Sequence, residues 1–164
     1  MKRIAALGAI LVVLRVLPAL ADDAFLAIPV PPDLTAYVEG VTGRTLPTDL
    51  TIGVVDNDSP LLKTHNVVVA GISVTAGAAE EKGKIYLPVY NIVRLEEAAI
   101  RALVVHELVH VTQEGNGKKY ACQEQREAEA YAVQNKFLQD RGLPPVLDER
   151  IIGAFRLCKE MGGE

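Results

Sequence analysis

Two of the three histidines in the chain, His106 and His110, stand four residues apart in the stretch "ALVVHELVHV", and Glu107 directly follows the first. On an α-helix, residues four apart lie one turn apart on one face, so the two imidazoles can each present a ring nitrogen to one ion. Glu107 then sits about 100° around the helix, close enough to reach a metal-bound water without ligating the metal. Zinc lowers the pKa of its bound water toward about 7, and a carboxylate beside it can take the proton. The spacing therefore predicts a zinc site with His106 and His110 as ligands and Glu107 as general base. Two histidines and a glutamate in so apolar a segment are costly to bury without partners. A metal and the groups that support its ligands would supply those partners.

A catalytic zinc takes three protein ligands and keeps a fourth position for water. His65, the remaining histidine, lies in a polar turn where a solvated side chain is expected. The better candidates stand in "REAEAYAVQ", where Glu127 and Glu129 are two residues apart. They point to different faces of a helix, so only one can ligate, and spacing alone leaves both open. A hydrolytic transition state also needs a donor to its oxyanion. Tyr86, Tyr90, Tyr120 and Arg126 are available, and the sequence does not rank them.

The elements that must position these residues fall into two halves. "LEEAAIRALVVHELVHVTQ" has two acids in its first turn, stops at "GNG", and is apolar nearly all round, which predicts a buried helix. "ACQEQREAEAYAVQNKFLQDRG" predicts a second helix, ended before Pro144 and Pro145, and "DERIIGAFRLCKEM" a third. Upstream, "DDAFLAIPVPPD" is proline-rich and extended, and Asp33 is placed to cap a short helix ending at Gly40 or Gly43. "DLTIGVVDNDSP" reads as a strand closed by a turn, "HNVVVAGISVTAG" as a strand with a glycine bend, and "KIYLPV" as another strand. The expected architecture is a single α+β domain, with a small antiparallel or mixed sheet of about three strands.

Lys2 and Arg3 precede the apolar run "IAALGAILVVL", and Pro18 precedes Ala19-Leu20-Ala21. This order predicts a secretory signal peptide over residues 1–21, leaving one domain over 22–164. The run is too short for a membrane span and Arg15 breaks it. Cleavage would remove Lys2, Arg3 and Arg15 but no acid, moving the formal charge from −4 to −7. An acidic domain without a basic run offers no footprint for nucleic acid or anionic lipid, so after cleavage neither nucleic acid nor membrane is expected as a partner. The location expected is exported, either periplasmic or secreted. Both cysteines, Cys122 and Cys158, lie in the exported part, which favours one disulfide clamping the second helix to the chain end.

The motif HELVH, followed by a second helix carrying E-x-x-A, resembles the gluzincin type of zinc metallopeptidase over about residues 84–139. The chain also looks like small exported bacterial HExxH proteins of unsettled substrate. The resemblance implies a zincin-like fold in which two helices bring His, His and Glu together under an edge strand that holds an extended peptide. It assigns Glu127 as the third ligand and "GKIYLPVYN" as the edge strand, and it implies peptide-bond hydrolysis of a peptide or protein substrate. Many relatives carry an acid four residues after the ligand glutamate; Tyr131 stands there in this chain. The alternative is a non-catalytic exported binding module that keeps the fold and works with a protein partner. Exported metal handling ranks last, for want of more histidines, methionines or cysteines.

Overall fold

The computed structural model describes residues 26–55, 66–69, 72–75, 84–88, 95–115 and 117–158. The proposed signal segment 1–21, His65 and Tyr90 lie outside the described residues. The architecture is α+β, with four helices and a three-stranded mixed sheet among the described residues.

Strand β1 (Leu26–Pro29) comes from the proline-rich segment and leads into helix α1 (Pro32–Thr42). That helix starts one residue before Asp33, which lies in its first turn instead of capping it. Pro32 takes the first helical position, where a missing N–H costs nothing. Gly43, at φ 68°, ends the helix and donates its N–H to the Glu39 carbonyl at 2.8 Å.

Strand β2 (Thr51–Val55) is the centre of the sheet. It pairs antiparallel with β1, placing Ile28 opposite Ile52. On its other side it pairs in parallel with β5 (Lys84–Pro88), placing Ile52 opposite Ile85 and Val54 opposite Leu87. Between them in sequence, the stretch expected to be one bent strand forms two, β3 (Asn66–Val69) and β4 (Ile72–Thr75). They pair antiparallel with Val69 opposite Ile72, and so make a separate two-stranded sheet.

Helix α2 (Glu97–Gly115) packs against β5, α1 and helix α3 (Gln123–Gln139), so it has almost no solvated face. Its continuous apolar run thus has a physical reason, since Val104, Val105, Leu108 and Val109 are all buried. The main core joins these to Leu34 and Val38 of α1, Ile85 and Leu87 of β5, and Phe137 of α3. Each such side chain contributes about 1.5–3 kcal/mol of burial. A second cluster, Ala128, Tyr131, Ile152 and Phe155, seats helix α4 (Glu149–Phe155) on the far side of α3. Helix α4 is shorter than the sequence suggests and is capped by Asp148, whose side chain accepts from the Arg150 N–H at 2.8 Å. A disulfide joins Cys122, the residue before α3, to Cys158, after α4. No helix among the described residues is long and apolar enough to cross a membrane.

Candidate metal centre

The α2–α3 pair sets the geometry. His106 and His110 project from α2 toward α3, where Glu127 occupies the facing turn. His106 Nε2 lies 3.2 Å from Glu127 Oε2, and His110 Nε2 lies 3.4 Å from Glu127 Oε1. The two Nε2 atoms are 3.1 Å apart. These three residues form a group that could hold a metal ion. A tetrahedral zinc with ligands at about 2.0–2.1 Å separates its ligand atoms by about 3.3–3.4 Å, close to the spacing found.

The other ring nitrogens face neutral amides. His106 Nδ1 is 3.0 Å from Gln134 Oε1, and His110 Nδ1 is 2.9 Å from Gln113 Oε1. Metal-binding histidines are ordinarily steered this way, with the second nitrogen donating to an oxygen. Tyr131 is not that oxygen, because its ring packs edge-on against the His106 ring at 4.5 Å between centroids. Gln123 Nε2 donates to Glu127 Oε1 at 3.1 Å, which helps to aim the carboxylate.

Glu107 stands apart from these pairings. It is 0 % exposed, and neither carboxylate oxygen has a hydrogen-bond partner among the described residues. Burial pushes its pKa up to about 8 in the metal-free protein. Burial alone would raise Glu127 too, but hydrogen bonds from His106 and His110, and their charges, hold it well below the usual carboxylate range. Burial lowers His106, whereas at His110 the hydrogen bond to Glu127 and the charges of Glu107 and Glu127 outweigh burial and raise it to about 9. Two glutamates 20 positions apart in sequence are thus driven to opposite protonation states, the pattern expected where one binds and the other moves a proton.

Of the two glutamates that spacing left open, Glu129 does not join the group. Its carboxylate accepts from Arg44 Nη2 at 2.7 Å, from the Tyr120 hydroxyl, from Lys118 Nζ at 3.3 Å and from Gln113 Nε2 at 3.2 Å. Burial would raise it, but the Tyr120 and Arg44 bonds and the Arg44 and Lys118 charges bring it down to about 2. Tyr120 is therefore engaged away from Glu107, and Arg126 is engaged by Gln113 Oε1 at 3.3 Å and Glu114 at 3.5 Å. Tyr86 is buried in β5. Sequence reasoning missed Gln113 and Gln134. Gln113, three after His110, shares the face of the histidine it serves, and Gln134, seven after Glu127, shares the face of α3 that meets His106; that spacing could have flagged them.

A family model described as Domain of unknown function (DUF6647) matches residues 74–161, more than half of the chain and all of the candidate ligands. No curated protein and no solved structure matches the chain.

Proposed function

The chain belongs to the DUF6647 family, whose function is unknown, and we propose from the site itself that it is a zinc-dependent hydrolase cleaving peptide bonds. The observation that carries this is a buried carboxylate with no hydrogen-bond partner among the described residues, set beside three convergent ligand atoms. His106, His110 and Glu127 would hold the ion. When bound, zinc supplies a Lewis acid that brings water's pKa toward about 7. Glu107 would accept a proton from the attacking water on its carboxylate and pass it to the leaving amine. Gln134 and Gln113 hold the imidazoles in orientation. The choice of a peptide bond comes from the resemblance to gluzincins. β5, paired with β2 along one edge, is the strand on which an extended substrate would add by main-chain hydrogen bonds.

The test begins with metal content of residues 22–164, purified without added zinc or a histidine tag. About one zinc per chain is expected, as a site with three protein ligands holds one ion. Glu107→Gln should keep that zinc while hydrolysis of a quenched peptide library falls by about 10²- to 10⁴-fold. Equal activity in the variant would remove Glu107 from the mechanism.

One observation favours the second reading, a non-catalytic binding module: His106, Glu107 and Glu127 are nearly inaccessible. Full biological function in Glu107→Gln would support it. Export after cleavage behind Ala21 is part of the proposal, and the Cys122–Cys158 bond suits an oxidising compartment.

A further inference from the structure

The side chain of Gln113 makes four contacts, and together they fix which way round its amide lies. Gln113 Nε2 is 2.9 Å from the Arg126 carbonyl and 3.2 Å from Glu129 Oε2. A carbonyl and an ionised carboxylate only accept, so the amide NH2 must be the end that faces them. Gln113 Oε1 is consequently turned toward His110 Nδ1 at 2.9 Å, and Arg126 Nε donates to the same oxygen at 3.3 Å. An amide oxygen only accepts, so Nδ1 of neutral His110 carries the hydrogen. The proton that His110 gives up on ligating a metal is therefore that of Nε2, and the lone pair so exposed faces His106 and Glu127.

We propose that Glu129 is a positioning residue for the metal: acting through Gln113, it selects the His110 tautomer whose Nε2 can ligate. Glu129 suits the role because it is itself fixed. Arg44 reaches it from the segment after α1, Lys118 and Tyr120 from the segment between α2 and α3, and Gln113 from α2. A chain of hydrogen bonds thus runs from surface cations through one carboxylate and one amide to a ligand nitrogen. Two glutamates two positions apart on α3 divide the work, Glu127 facing the ion and Glu129 facing the support of a histidine.

This inference rests on the zinc reading, and zinc affinity measured by chelator competition separates the two. Gln113→Leu should weaken zinc by about 10- to 100-fold, and Glu129→Ala by about tenfold, the usual cost of losing a group behind a ligand. Because Glu129 acts through Gln113, adding Glu129→Ala to Gln113→Leu should weaken zinc no further. In zinc-free Glu129→Ala, imidazole 15N shifts taken above about pH 9, where His110 is neutral, should show both tautomers where the wild type shows one. Asn135→Ala is the structural control, since Asn135 ties α3 to Val146 and Leu147. It should lower Tm and leave zinc affinity unchanged. If Glu129→Ala does not fold, Glu129→Gln takes its place in the same cycle, with a smaller effect in the same direction. Wild-type affinity in a folded Glu129 variant, or additive losses in the double variant, would overturn the proposal while leaving the zinc reading intact. Failure of the wild-type chain to take up zinc would overturn both.

Discussion

At the scale of single residues, the most telling feature is what Glu107 lacks. A fully buried carboxylate with no hydrogen-bond partner among the described residues is a cost that folding alone does not explain. In metal-free protein the native state keeps a proton on Glu107 up to about pH 8, while the unfolded chain loses it near 4.5. Stability contributed by this residue should therefore fall as pH rises above about 4.5 and level off above about 8. Glu107→Met removes that penalty. Chelator-treated Glu107→Met should melt above wild type, by a wider margin at pH 8 than at pH 5. An equal margin at both would mean that Glu107 is already paired or solvated. The sequence pointed to His106, Glu107 and His110 because the roles proposed for them follow from helical spacing. It did not separate Glu127 from Glu129, because the face of α3 that meets α2 depends on how the two helices pack, which spacing on one helix does not contain.

At the scale of elements, the helices were more legible than the strands. α2 and α3 announce themselves by long runs with clear stops, whereas β3 and β4 read as one strand because valine and isoleucine recur through both segments of the sequence. The start of α1 was misplaced by two residues, as Pro32 takes the first helical position and leaves Asp33 inside the first turn. The disulfide was anticipated from cysteine count, and its consequence is now specific. It anchors the residue immediately before α3, five residues ahead of Glu127, to the segment just after α4. Closing a separation of 36 residues contributes about 3–4 kcal/mol in the chain-entropy model. A Cys122→Ala, Cys158→Ala double variant should lose about that much in urea denaturation. It should also hold zinc less tightly, because the start of the ligand helix is freed to fray. Unchanged stability would show that burial of Ile152 and Phe155 alone holds α4 in place.

At the scale of the whole molecule, one α+β unit presents an acidic chain with its candidate chemistry almost entirely enclosed. If the first 21 residues act as proposed, N-terminal sequencing of the exported protein should read Asp22 first; a retained Met1 would refute cleavage. The candidate ligands and both supporting glutamines span only residues 106–134, with His106 meeting Glu127 across 21 positions and Gln134 across 28. The sheet gains its β2–β5 bonds only across 33 positions, Ile52 to Ile85, whereas α2 and α3 each form from bonds between residues four apart. Contacts close in sequence form early in folding and distant pairings late. The α2–α3 hairpin should therefore assemble before the sheet closes over it, and an ion would be captured by a half-built protein more readily than by a finished one. Protein refolded with zinc present should load within the refolding time, while the same protein given zinc after refolding should load far more slowly. Equal loading rates would mean that the folded chain opens freely to ions.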